Sequence, residues 1–146
     1  GEGAKSGASA PSASASSEPP PVALGSSRDF ILNVGDRVFF DFDKAALKPK
    51  ARAVLEKQAA WFKRYPRHQV VVEGHCDERG TREYNLALGD RRANAIKDFL
   101  VALGVSSSRI SSISYGKERP VALGHDEAAW SQNRRGVTMV KGRPGS

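Results

Sequence analysis

Residues 69–104 read QVVVEGHCDERGTREYNLALGDRRANAIKDFLVALG, and their patterning sets the fold class. Val70, Val71 and Val72 are a β-branched run of strand length, so Gln69–Glu73 reads as a short, largely buried strand. Gly74–Gly80 reads as a polar loop. Thr81 is a suitable N-cap for a long helix, with Glu83 in the first turn near the positive end of the dipole. The helix runs to Leu103, and Gly104 is a natural stop. On a wheel of about 100° per residue, Leu88, Ala95, Ile96, Phe99 and Leu103 share the core face. Arg92 falls in the middle of that face and Asn85 on it, with Arg91 toward its edge.

A guanidinium left buried and unpaired costs several kcal/mol, by the order of charge-burial penalties. Arg92 therefore either snorkels out or meets a carboxylate. Two readings follow. One is a structural ion pair with a nearby Asp or Glu. The other is a pocket at the helix N-terminal end, where Arg92 awaits a ligand carboxylate in the bidentate geometry of guanidinium. The loop His75-Cys76-Asp77-Glu78-Arg79-Gly80 precedes this helix at a strand end, a usual place for ligands. Asp77 and Arg92 facing one site would suit a zwitterion, the acid taking an ammonium and the guanidinium a carboxylate.

Outward from this stretch, strands and helices alternate. From Asp36, the residues Val38, Phe40 and Phe42 alternate with Arg37, Phe39 and Asp41, a strand with one buried face. Pro49 suits the first turn of a helix on which Ala51, Val54, Leu55, Gln58, Phe62 and Tyr65 recur, and Pro66 ends it. Arg109–Tyr115 reads as a strand, Asp126 caps a short helix to about Ser131, and Arg135–Val140 is a last strand before Gly142, Pro144 and Gly145 fray the end. The order β-α-β-α-β-α-β implies a sheet with helices packed on it.

The 146 residues suit one domain with a tail, at 39% hydrophobic and 27% charged. No run approaches the ~20 apolar residues of a membrane span. A lone Cys76 excludes an intrachain disulfide and a cysteine-rich zinc site. Residue 1 is Gly, so the chain reads as trimmed, with any targeting signal removed. Residues 1–27 hold eight Ser, six Ala, four Gly and four Pro, a composition that cannot bury enough surface to fold. They read as a disordered tether, or alternatively as a remnant or worn terminus. Lys5 against Glu2 and Glu18 gives this tail −1, so residues 28–146, the globular domain, carry +8 of the net +7.

Glu73-Gly74-His75-Cys76-Asp77-Glu78-Arg79-Gly80-Thr81, then Glu83-Tyr84-Asn85, Leu88-Gly89 and Arg91-Arg92-Ala93, resemble the peptidoglycan-binding domain of the OmpA-like family. Phe39-Phe40-Asp41-Phe42-Asp43-Lys44, Ser114-Tyr115-Gly116-Lys117-Glu118, Gly124-His125-Asp126-Glu127-Ala128-Ala129 and Asn133-Arg134-Arg135 resemble its outer-membrane lipoprotein branch. The resemblance covers about residues 30–141. It implies an α+β fold, a β-α-β-α-β-(α)-β sandwich with a mixed four-stranded sheet and two long helices on one face. It also implies a binding module without cofactor or catalysis, which holds the diaminopimelate of the peptidoglycan stem peptide. The family's aspartate falls on Asp77 and its arginine on Arg92. Phe42, Asp43, Glu78, Thr81, Tyr84, Asn85 and Leu88 are the implied pocket walls. The resemblance further implies docking on the periplasmic Tol-system β-propeller protein in competition with the wall, and a lipid anchor in the outer membrane. The acylated N-terminal cysteine of that branch is absent from this chain. Cys76 stands where a small or hydroxyl residue is commoner; it reads as a small buried residue beside the site, with pocket shaping or oxidation as the other reading.

Rival chemistries have thinner support. A metal hydrolase drawn from His75, Asp77, His125 and Asp126 matches no ligand spacing. A Cys76–His75 nucleophile needs spatial rather than sequential neighbours. The basic residues are scattered, without the aromatic-basic interleaving or recognition helix of a nucleic-acid binder. Within the family, a flagellar stator or outer-membrane porin domain is the alternative, and such domains usually lack the His125–Ala129 segment.

Overall fold

The computed structural model describes residues 20–141; most of the expected tether, residues 1–19, and the expected frayed end lie outside them. The first helix, α1, spans Ser27–Asp29 and continues as a π-helical turn over Phe30–Val34. Ser26 caps it by accepting the Asp29 N–H at 3.1 Å. The buried Asp29 carboxylate in turn receives the Gly25 N–H, Asn33 Nδ2 and the Trp61 indole N–H at 2.8–2.9 Å. These bonds, those of Asn33 and Trp61 foremost, hold its pKa below the ordinary carboxylate value. Ordered contacts thus reach back to Gly25, inside the stretch read as tether.

Strand β1 is short, Arg37–Phe39. The Phe40 N–H still donates to the Arg134 carbonyl at 3.0 Å, but the Lys44 N–H then turns back onto Asp41 O at 3.2 Å. The alternation expected through Phe42 therefore stops at Phe40, and Phe42 is 54% exposed. Helix α2, Pro49–Arg64, starts at its proline and buries Ala51, Leu55, Gln58, Ala59 and Phe62. Strand β2 runs over Gln69–His75, two residues further than its valine run suggests. Helix α3, Arg82–Ala102, has Thr81 as N-cap, and Gly104 adopts φ 106° just beyond it. Strand β3, Ile110–Gly116, then helix α4, Glu127–Asn133, capped by Asp126, and strand β4, Arg135–Lys141, complete the order.

The sheet order is β1-β4-β2-β3, with β2 parallel to β3 and the other pairings antiparallel. It is the mixed four-stranded sheet that the resemblance implies. One core cluster joins both long helices to it: Leu55 and Phe62 from α2, Ile96 and Leu100 from α3, and Val38, Val70 and Val72 from the strands. Phe30 enters from α1 and lies 5.0 Å, centroid to centroid, from both Trp61 and Phe62. Each such fully buried side chain contributes about 1.5–3 kcal/mol of transfer free energy.

Two close contacts fix the two ends of β2. At Gly74 a Cβ would lie 1.7 Å from the carbonyl oxygen of Gly89, so strand β2 and helix α3 touch backbone to backbone there. At the other end of β2, His68 Nε2 bonds the Gly25 carbonyl at 2.6 Å, which joins the start of that strand to the segment before α1.

Candidate functional site

The end of β2 and the start of α3 meet at a cavity of about 250 Å³. Seven of the residues singled out from sequence line it: Phe42, Asp43, Asp77, Tyr84, Asn85, Leu88 and Arg92. Phe42 and Tyr84 form an exposed aromatic rim, and Leu88 is buried. Asp43 adopts φ 60°, a left-handed conformation that aspartate tolerates better than most residues. Its carboxylate accepts the Tyr84 hydroxyl, which ties the loop after β1 to the start of α3.

Arg92 is fully buried, and its partners are neither solvent nor a carboxylate. Nε donates to the Lys44 carbonyl at 2.8 Å, Nη1 to that of His75 at 2.9 Å and Nη2 to that of Asp41 at 3.0 Å. The two destinations expected for this guanidinium are thus replaced by a third: it binds the backbone of the β1 loop to the end of β2. These bonds engage three of its five N–H groups, and Arg92 lines the cavity. Asn85 follows the same logic, its Nδ2 donating to the Arg79 and Thr81 carbonyls at 2.8 and 3.0 Å. Both polar interruptions of the helix stripe are therefore paired with loop carbonyls, as burial demands.

Asp77 is only 4% exposed and already holds a cation. Arg79 Nη2 donates to Oδ2 at 2.7 Å and Nε to Oδ1 at 3.2 Å, while the Arg79 N–H reaches Oδ1 at 3.0 Å. Arg134 Nη1 stands 3.6 Å from Oδ2. Burial pushes the Asp77 pKa up, but the Arg79 bonds outweigh it and leave the group below the ordinary carboxylate value. The Arg79 guanidinium lies between two aromatic faces, 3.9 Å from the Phe42 ring centroid and 4.0 Å from that of Trp130.

Glu78 and Thr81 stand apart from the cavity lining. Glu78 turns outward, where its carboxylate receives the Trp130 indole N–H at 2.8 Å and meets His125 Nδ1 at 2.8 Å. Those two partners, Trp130 first, lower its pKa. Thr81 is spent on capping, accepting the Tyr84 N–H at 3.1 Å. Arg79 and Gly80 line the cavity, and Trp130 flanks it, without having been assigned there from sequence. For Arg79 the signal was its place two residues after Asp77. Trp130 lies 51 residues along the chain from Arg79, and nothing local announces it.

Cys76 is buried, with Sγ 3.3 Å from the Asn85 carbonyl, and burial raises its thiol pKa. His75 instead bonds Glu73 Oε1 at 2.9 Å and stacks on Tyr115. Among the described residues no three His, Cys, Asp or Glu converge as a metal site.

The cavity therefore presents an acid and a guanidinium side by side behind an aromatic rim. The OmpA family model matches residues 39–134. Over 118 residues the chain is 58% identical to the peptidoglycan-associated lipoprotein of Mesorhizobium japonicum, spanning 81% of this chain and 70% of that protein. It is 57% identical to the protein of the same name from Brucella melitensis, with the same coverage. The crystal structure of the peptidoglycan-associated lipoprotein from Burkholderia pseudomallei superposes with a TM-score of 0.75 at 41% identity, covering 80% of this chain and 100% of that one. The C-terminal domain of Helicobacter pylori MotB shares the fold alone, with a TM-score of 0.69 at 22% identity over 75% of this chain and 86% of that one.

Proposed function

The chain belongs to the OmpA family, and from that premise we propose that it binds peptidoglycan non-covalently and ties the outer membrane to the cell wall. The names of its relatives, peptidoglycan-associated lipoproteins, support peptidoglycan as ligand and a lipid membrane as partner. In this reading the chain is a binding module, not an enzyme, and acts from the periplasmic side. The observation that carries it is that Asp77 and Arg92, buried opposite charges bonded to other partners, line one cavity. The free end of diaminopimelate carries an ammonium and a carboxylate, and complementary buried charges discriminate such a zwitterion from a stem that lacks one of them.

Arg79 sets a condition on this binding. Its guanidinium stands where the ligand ammonium would sit against Asp77. The wall ligand enters as Arg79 swings out toward solvent, and the cation partner of Asp77 is exchanged rather than created. The remaining Arg92 N–H groups then meet the carboxylate. The same face serves the periplasmic Tol-system β-propeller protein, so the two partners compete, with consequences for envelope integrity and cell division. A lipid anchor preceding the Ser/Ala/Pro tether fixes the module to the membrane; among the described residues no helix is long and apolar enough to cross one.

The test is calorimetric titration of a diaminopimelate-containing muropeptide, with a lysine-type stem as control. At least tenfold preference for diaminopimelate is expected, because the lysine-type stem keeps the ammonium but lacks the carboxylate for Arg92; Asp77→Asn should weaken binding of both stems while the fold survives. Unchanged binding by folded Asp77→Asn removes the site assignment. Arg92→Ala also leaves three backbone carbonyls without their donor, so it loses stability together with binding.

A further inference from the structure

On the opposite flank of Phe40 and Asp41 lies a groove of about 310 Å³, larger than the cavity above. It runs between strand β1 and the first turns of α2. Among the described residues strand β1 is an edge of the sheet, bonded on one side only, to β4. Val38 pairs with Gly136, Thr138 N–H donates to Asp36 O at 2.7 Å, and Phe40 N–H donates to Arg134 O. In an antiparallel ladder the backbone groups alternate in direction. Asp36, Val38 and Phe40 therefore point theirs at β4, and Arg37 and Phe39 present their N–H and C=O groups outward.

The floor of the groove is apolar, made by Val38, Phe40, Ala51 and Val54. Four cations line the groove, Arg37, Lys48, Lys50 and Arg134, beside the carboxylate of Asp41, which is bound to Lys48 Nζ at 2.9 Å. Arg37 is paired with Asp36 at 3.1 Å and Arg134 with Glu127 at 2.7 Å, so among the described residues Lys50 is the lining cation without a carboxylate partner. The first turn of α2 holds no acidic residue, and its N-cap, Lys48, makes no side-chain capping bond. The positive end of that helix thus adds to the field of the lysines.

The geometry points to an extended, acidic peptide segment of a partner protein as the occupant of this groove, docked as a fifth strand on β1. Its backbone would pair with Arg37 and Phe39, one apolar side chain would lie against Val54, and a flanking carboxylate would meet Lys50. Strand addition of this kind draws affinity from main-chain bonds and specificity from side-chain pockets. Lysines beside a short edge strand also deter unwanted pairing; the apolar floor is what a purely protective edge lacks.

The probe is a capped pentapeptide alternating Glu and Val, compared with its Lys/Val counterpart, titrated into the full chain and followed by amide NMR. The acidic peptide is expected to shift and protect the Arg37 and Phe39 N–H groups and to bind at least tenfold more tightly than the basic one. Lys50→Glu should erase that difference and leave muropeptide binding unchanged. Phe39→Pro, which removes an outward donor without touching the β4 ladder, should weaken the peptide alone. Equal binding of both peptides, or shifts centred elsewhere, overturns the proposal. So does a concentration-dependent shift of these amides without peptide, which would make the groove a self-association edge. A shift on removing residues 1–19 also overturns it, since the occupant would then be this chain's own tail.

Discussion

Replacing Arg79 by alanine should tighten muropeptide binding, a sign opposite to that of most changes in a binding site. The guanidinium makes two charge-assisted bonds to Asp77 and lies about 4 Å from two ring centroids, with its side chain 32% exposed. At that exposure the bonds to Asp77 hold about 1.5 kcal/mol together, the low end for charged partners. Each cation–π contact adds about 0.5 kcal/mol. A ligand ammonium that displaces Arg79 forfeits this sum, about 2.5 kcal/mol, before gaining its own contacts. Arg79→Ala removes the occupant, so affinity should rise by roughly 10- to 70-fold at about 1.4 kcal/mol per decade. The gain is largest above the Asp77 titration range. Without Arg79, burial of Asp77 meets less opposition and its pKa rises, so the enhancement should fade as the pH drops toward the carboxylate range. Calorimetry with the diaminopimelate muropeptide at neutral and mildly acid pH reads both effects. A folded Arg79→Ala protein that binds more weakly than the parent refutes the reasoning, since Arg79 would then be a ligand contact and not an occupant.

Gly74→Ala drives a Cβ into the Gly89 carbonyl, a backbone atom that cannot rotate away, and should cost about 3 kcal/mol or more in a urea melt. Buried His75 has a depressed pKa, because burial outweighs its bond to Glu73. The folded chain then binds fewer protons there than the unfolded chain, whose imidazole titrates near 6.5. Stability should be fully present above about pH 6.5 and decline as the pH falls below it, and His75→Gln should flatten that limb of the melting profile. Cys76 should ignore a thiol reagent in the native protein at neutral pH and react stoichiometrically in urea; fast native labelling would contradict its burial and raised pKa.

Local signals carried the fold far. Thr81, Asp126 and Pro49 start their helices where the sequence places them, because capping depends on neighbours within a few residues. The π-helical turn at Phe30–Val34 escapes such reading: five residues give no periodicity, and its burial is imposed by Trp61 and Phe62. The candidate site divides in the same way. Arg92 and Asn85 stood out because a helical stripe makes polar residues conspicuous. Where Arg92 goes was not legible, since two of its carbonyl partners lie 48 and 51 residues away and a carbonyl carries no residue identity. The Arg79 sandwich was hidden for a related reason. Its two rings come from opposite ends of the domain, and only the paired β1 and β4 bring Phe42 and Trp130 together.

The course of β2 has a mechanical consequence. The strand begins beside His68, bonded to Gly25, and ends two residues before Asp77. Its seven residues span about 20 Å at the usual rise. If the membrane pulls on the chain before Gly25 and the wall holds a ligand on Asp77, the tension enters at one end of β2 and leaves at the other. Neighbouring strands flank β2 on both sides, and their hydrogen bonds lie across the line of pull. Such a load is shared by both ladders at once instead of opening them one rung at a time, so the domain resists as a sheared lap joint and not as a zipper.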